Sequence, residues 1–240
     1  RVQMVAQKLS GVVKETALEL AAKAQLLIGD TYSAETKLDE AVAAYRRVIS
    51  DYPQERQLVE EAYVKIGEAH FSQGDLEGGI QLYRRATSEV ADRGFRARMQ
   101  TRIARQYYQA EQFPQALEEY QIYLEAYGDI ARQAGLDLDR TRFQMAQCLF
   151  EMAEERRSAG DQERTLDYYR QSEESYLRVI ADYPSTALRA ESLFGAGLAA
   201  QRRGEKADQE KALELFRQVQ DQYRQQSEIA GRVQLQTARI

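Results

Sequence analysis

The chain has 240 residues, 30% of them charged and 43% aliphatic or aromatic, with three prolines, no tryptophan and a formal net charge of −5. That acidity argues against a general nucleic-acid binder, which needs a basic surface to release counterions from phosphates. No run approaches the roughly 18 apolar residues of a membrane span, and a single cysteine, Cys148, excludes an intramolecular disulfide.

Ala, Leu, Glu, Gln and Arg dominate, all good helix formers, and nothing alternates apolar with polar over a strand's length. The class is all-α. The chain opens Arg-Val-Gln, without a start Met, and reads as a piece of a longer protein, its first apolar stripe being Val2, Val5, Leu9 and Val12. From there a unit recurs. AYRRVISDYP (Ala44–Pro53) returns almost unchanged as SYLRVIADYP (Ser175–Pro184), and weaker copies lead with Tyr83, Tyr120 and Phe216. The five leading aromatics, Tyr45, Tyr83, Tyr120, Tyr176 and Phe216, are spaced 38, 37, 56 and 40 residues apart. Four residues before each stands a small residue: Ala41, Gly79, Ala116, Ser172 and Ala212. A helical segment further upstream carries another near its middle: Gly29, Gly67, Ala104, Ala146 and Gly197. Small residues on facing helices let two backbones approach while aromatics fill the flanks.

Each period therefore predicts two helices and a short turn, with repeats over about 16–55, 56–93, 94–130, 137–184 and 185–225 and a partial one over 226–240, in a single segment 1–240. In the second repeat the break is Gln73-Gly74-Asp75, and in the third Pro114 suits the first turn of a helix, where its missing N–H is not needed. In the fourth, the long interval falls in EMAEERRSAGDQERTLDYYRQSEES. Both helices there read as lengthened, with the turn near Ser158–Asp161: either a solvated hairpin that the stack tolerates or a partner-specific feature. After the fifth, SEIAGRVQLQTARI begins another first helix and stops. Neither end has an obvious polar cap, so more repeats or another domain are expected to flank the segment, and the uncapped ends offer surfaces for self-association.

This order resembles the tetratricopeptide repeat. The family's apolar–small–Tyr in the first helix, Ala in the second, an aromatic four later and a closing Pro match Ile28-Gly29, Tyr32, Ala41, Tyr45 and Pro53. The resemblance covers roughly Thr16 to Tyr223. It departs in lacking the early Trp (Gln25, Tyr63, Gln100, Arg142 and Leu193 stand there) and in a period longer than the usual ~34 residues. The Tyr-Pro ending with its long lead-in, DYPSTALRAESLFGAGLAA, is similar to the subtype of bacterial envelope proteins such as the outer-membrane barrel-assembly lipoprotein and the Tol–Pal coordinator. The resemblance implies a right-handed α–α superhelix of about five helix-turn-helix repeats with partial flanking helices. It implies a non-enzymatic scaffold that binds a segment of another protein in its groove, and a periplasmic or envelope setting rather than a cytoplasmic one. A structural spacer, a self-association segment and a regulatory domain of a larger protein are the alternatives.

Enzyme signatures are missing or weak, and neither a cofactor nor a metal is expected. His70, the only histidine, occupies a slot where other repeats place Tyr or an aliphatic residue, and no second His or Cys offers ligand spacing. Cys148 sits among Met145, Leu149 and Phe150 and reads as a buried, inert thiol. GDLEGG lacks the Lys-Ser/Thr of a phosphate loop. The adjacent pairs Glu118-Glu119, Glu154-Glu155 and Glu173-Glu174 read as solvated faces.

The family's first helices line its groove, which places Phe71, Tyr108, Phe143, Phe150 and Phe194 inward, with Lys65, Arg98, Arg102 and Arg105 as a basic centre for an acidic protein segment. Packing of each Phe against its neighbouring repeat is the alternative. Chaperone-binding members hold a terminal carboxylate at places occupied here by Leu26 and Asp30, Lys65, and Arg98 and Arg102; Asp30 would repel it, so that specificity is not expected.

Overall fold

A computed structural model describes residues 2–240, with side chains from residue 13 onward. The stripe Val2, Val5, Leu9 and Val12 lies outside the described side chains. Among the described residues all regular structure is helical: α1 (Val2–Ala34), α2 (Leu38–Asp51), α3 (Arg56–Ser72), α4 (Leu76–Glu89), α5 (Arg93–Gln109), α6 (Phe113–Gln133), α7 (Leu138–Ser158), α8 (Gln162–Asp182), α9 (Arg189–Arg203), α10 (Lys206–Gln222) and α11 (Ser227–Thr237). The chain separates into two compact units, one reaching Met99 and one from Gln100 to Ile240, and the division falls within α5.

In the first unit α1 packs on α2, α2 on α3 and α3 on α4. The second helix of each hairpin buries one stripe. In α2 it is Ala41, Ala44, Tyr45 and Val48, and in α4 Gly79, Ile80, Tyr83 and Ala86, the i, i+3/i+4, i+7 spacing of an amphipathic helix. The small residues of the first helices seat the rings of the second. A Cβ on Gly29 would lie 2.3 Å from Tyr45 Cε1, and one on Gly67 2.3 Å from Tyr83 Cε1. Burying Tyr83, Ile80 and Ile66 in this way contributes roughly 1.5–3 kcal/mol for each side chain relative to leaving it in water.

In the second unit α7 packs on α8, α8 on α9 and α9 on α10, and α11 adds Ile229 and Val233 to the last core. Phe216 sits over Gly197, whereas Tyr120 shares its core with Ala104. Tyr176 shares a core with Ala146 and also rests on Gly195 of the following helix, where a Cβ would meet its Cζ at 2.6 Å. In the fourth hairpin α7 and α8 are both 21 residues long and the turn is Ala159–Asp161.

Four of the turns inside hairpins share one closing geometry. A residue in the left-handed region follows the first helix, and the next N–H reaches back five residues: Lys37 to the Tyr32 carbonyl, Asp75 to His70, Gln112 to Tyr107 and Asp161 to Arg156, at 2.9–3.1 Å. This is the six-to-one bond that satisfies an orphan carbonyl at a helix end. Glycine supplies the left-handed residue at Gly74 (φ 77°) and Gly160 (φ 78°), but Thr36 (φ 60°) and Glu111 (φ 58°) adopt it with a side chain in place.

The adjacent carboxylates are not simply solvated faces. Glu173 is 4% exposed and Glu119 7%, while their neighbours Glu174 and Glu118 are exposed. Adjacent residues on a helix point about 100° apart, so one member of each pair falls on the packed side. Burial is tolerated because partners are built in. Glu173 takes the Arg203 guanidinium and the Lys211 ammonium, and Arg203 Nε also donates to Asp208 at 3.0 Å. Glu119 takes the amide of Gln100.

Candidate functional site

In the first unit a cleft of about 400 Å³ opens between the α1–α2 hairpin and α3, lined by Asp30, Ser33, Leu38, Tyr45, Lys65 and Glu68 among others. Asp30 directly follows Gly29, so the close approach that seats the Tyr45 ring also brings its hydroxyl to the carboxylate. Tyr45 Oη donates to Asp30 Oδ1 at 2.8 Å, and Lys65 Nζ meets the same oxygen at 2.8 Å. Lys65 also stands 6.0 Å from the Tyr45 ring centroid, a weak cation–π distance. Burial alone would raise the Asp30 carboxyl, but the bonds from Lys65 and Tyr45 outweigh it and hold the group below its ordinary value. Burial opposes the Lys65 charge and Asp30 restores it, so the ammonium titrates above its usual range. The cleft thus has a fixed acceptor and a fixed donor, with side chains 37% and 25% exposed.

Phe71 is half-buried on the same helix as Lys65. Its ring meets Tyr83 edge-on at 5.5 Å and covers Gly79. Arg98 is exposed and held by Glu60 at 2.8 Å. His70, one residue before Phe71, turns to the hairpin turn, where Nδ1 is 2.8 Å from Asp75 Oδ2 while Asp75 Oδ1 accepts the Gly78 N–H to cap α4.

In the second unit the remaining candidates fall on α5, α7 and α9. Each aromatic pairs with one of a second helix: Tyr108 with Phe113 at 5.4 Å, Phe143 with Tyr176 at 5.4 Å, Phe150 with Tyr169 at 5.5 Å and Phe194 with Phe216 at 5.8 Å. Tyr108, Phe143 and Phe150 keep part of their surface in water, but Phe194 is 4% exposed, its ring covered by the Arg232 guanidinium at 4.4 Å. These rings are buttresses first, each engaged by an aromatic of a second helix. Arg102 is half-buried, and Arg105 is exposed with no ion-pair partner among the described residues. Glu151 is raised by burial and by Glu154, Glu111 and Glu155 around it. The Cys148 thiol is fully buried and pushed up to about 12 by that burial.

Sequence reasoning placed these aromatics on first helices but not their partners, because pairing depends on how the second helix crosses the first. Phe194, expected to face the groove, is instead buried beneath Arg232. Sequence reasoning missed that contact, whose one available signal was an arginine in the first turns of the partial sixth first helix.

Residues 26–93, which span the first unit's two hairpins from the second half of α1, match the model of the tetratricopeptide repeat family. Sequence comparison with curated proteins gives no significant match. Among solved structures, the chain is similar to nearly identical TPR-like repeats of a candidate kinesin light chain from Podosopora anserina, at a TM-score of 0.56 and 15% identity over 84% of this chain and 96% of that one. It is also similar to MamA from Desulfovibrio magneticus RS-1, at a TM-score of 0.52 and 15% identity over 85% and 96%. At such identity the likeness defines the fold: an all-α helix-hairpin solenoid of the tetratricopeptide type.

Proposed function

We propose that this chain is a non-catalytic scaffold that captures a segment of another protein on the first-helix faces of its hairpins. The observation that carries the reading is the Asp30–Lys65–Tyr45 arrangement in the cleft of the first unit. Its donor and acceptor are already fixed by one another, so an incoming segment bears little ordering cost when it exchanges one of those bonds. A catalytic reading has less support. The Cys148 thiol is buried and protonated near neutral pH, and His70 is committed to a helix-capping aspartate. The partner segment is acidic in this proposal, with Lys65 in the cleft to receive it and Phe71 on the same helix as an apolar contact. An envelope setting is supported by the Tyr52-Pro53 and Tyr183-Pro184 endings. Recovery of the tagged full-length protein in the cytoplasm alone would exclude it.

Photocrosslinking tests the capture. A benzophenone side chain placed at Ser72, in the cleft, is expected to give a discrete adduct in cells, whereas one at the exposed Arg178 of α8 gives none. Lys65→Ala should cut affinity for the adducted segment by roughly tenfold, the loss of one charge-assisted contact. Identical adducts from both positions would sink the proposal.

A further inference from the structure

Four of the six large apolar side chains most exposed among the described residues lie on a single helix, α1: Val13 at 67%, Leu20 at 62%, Leu27 at 63% and Ile28 at 46%. They are not scattered. Val13, Ala17, Leu20, Ala24, Leu27 and Thr31 are all exposed and alternate in steps of four and three residues, the heptad seam of a coiled coil. The seam runs about 27 Å along the helix at 1.5 Å per residue. Thr31 belongs to it because its hydroxyl is turned back onto the Leu27 carbonyl at 2.9 Å, which satisfies the polar group locally. The opposite side of α1 is already spent on its own hairpin, with Ala22, Leu26 and Gly29 buried and the Gln25 amide donating to the Ala44 carbonyl at 3.2 Å.

Side-chain size selects the occupant. Large and small residues strictly alternate along the seam: Val, Ala, Leu, Ala, Leu, Thr. In a parallel pair, like positions meet, so Leu would press on Leu at one layer and Ala would face Ala across a gap at the next. In an antiparallel pair with its dyad level with residue 22, every layer matches large against small. Leu20 meets the partner's Ala24, Leu27 meets the partner's Ala17, and Val13 meets the partner's Thr31. Such alternation lets facing layers interdigitate at native density. The register is two-fold symmetric, the arrangement a self-complementary patch requires. Lys23 flanks the dyad and would approach its symmetry mate, but each is neutralised by Glu19 of its own helix at 2.6 Å. Ile28 flanks the seam where the aliphatic stem of the partner's Lys14 can cover it.

We infer that the exposed seam of α1 is a dimer interface, on which a second copy of this chain packs its own α1 antiparallel about residue 22.

Sedimentation equilibrium of the 240-residue chain, loaded from roughly 1 to 200 µM, should show a monomer–dimer equilibrium in the micromolar range expected of a short interface. Leu20→Glu places two charges in the apolar layers beside the dyad and should raise the dissociation constant by roughly a hundredfold or more. Leu20 is exposed in the monomer, so circular dichroism of the variant should be unchanged. Orientation is read by oxidation of proteins carrying one introduced cysteine, in which buried Cys148 stays silent. Ala17→Cys mixed with Leu27→Cys should crosslink, whereas each alone should not. In the antiparallel register two copies of either position stand about 15 Å apart, well beyond the Cα separation a disulfide spans. A monomer throughout, as when another segment or a different protein owns this face, overturns the inference. So does a dimer that survives Leu20→Glu, or homodimers formed by Leu27→Cys alone.

Discussion

The ring of Tyr83 lies directly on Gly67, so closely that a methyl group on the glycine would sit 2.3 Å from Cε1 and 2.5 Å from Cζ. Replacing a mid-helix glycine by alanine ordinarily stabilises, by about 0.5–1 kcal/mol, because glycine loses more backbone freedom on folding. Here the ring and its packed surroundings would have to shift, and Gly67→Ala should instead cost roughly 1–3 kcal/mol. Gly128, inside α6 with nothing within 4 Å of a built Cβ, is the control, and Gly128→Ala should gain the ordinary increment. Urea unfolding of the two variants against the parent checks the opposite signs.

The turns make a second comparison. Thr36 and Glu111 adopt the left-handed conformation that Gly74 and Gly160 provide elsewhere. For a residue with a Cβ that region costs about 1–2 kcal/mol, and a β-branched residue is the worse case. Thr36→Gly and Glu111→Gly should each raise stability by about 0.5–1 kcal/mol, with Thr36 the larger. The reverse change, Gly74→Ala, should lower it by about 1 kcal/mol. Thermal midpoints followed by circular dichroism order the three.

Glu173 and Glu174 are neighbours in sequence with unequal roles. Removing the Glu173 carboxylate leaves Arg203, itself only 11% exposed, without its partner across the hairpins. Glu173→Ala should cost about 1–3 kcal/mol, since Arg203 loses one of its two carboxylates and keeps Asp208. Glu174→Ala, which breaks only the exposed pair with Arg178, should stay within about 0.5 kcal/mol. Chemical denaturation of the two variants measures the difference.

Ionisation of the tyrosines should set an alkaline limit. Burial, reinforced by the Glu89 carboxylate, pushes the Tyr63 hydroxyl up to about 12, and burial raises Tyr108 to about 12 as well. An unfolded tyrosine ionises near its ordinary 10, so between these values the folded state binds more protons. The stabilisation is therefore complete below about pH 10 and is lost as pH rises through the folded value. A spectrophotometric titration should show a class of phenols that ionise only together with loss of helicity. By the same logic the Cys148 thiol, raised to about 12 by burial, should ignore a disulfide reagent at pH 8 and react at once in urea. Ready reaction in the native state would contradict its placement.

The sequence announced the hairpins because their chemistry is local and repeated. Gly29 beneath Tyr45 and Gly67 beneath Tyr83 recur at one spacing, and Gln73-Gly74-Asp75 and Pro114 mark helix ends by backbone rules alone. The position of Phe71, Phe143 and Phe194 on first helices was legible for the same reason. Which of them keeps an open face was not, since Phe194 is covered by Arg232 from another helix and Phe143 is engaged by Tyr176 more than thirty residues on. The burial of Glu173 was equally hidden. Its partners Arg203 and Lys211 lie in other helices, and no periodicity within α8 distinguishes a carboxylate that will meet them from one that faces water.

Tyr176 rests on Gly195, a glycine that belongs to the next hairpin, whereas Tyr45, Tyr83 and Phe216 rest on glycines of their own. The last two hairpins are thus interlocked in a way the others are not. A gene duplication or a designed transplant that cut between Asp182 and Arg189 would part a phenol from its seat, so this pair has to be inherited, or moved between proteins, as one piece.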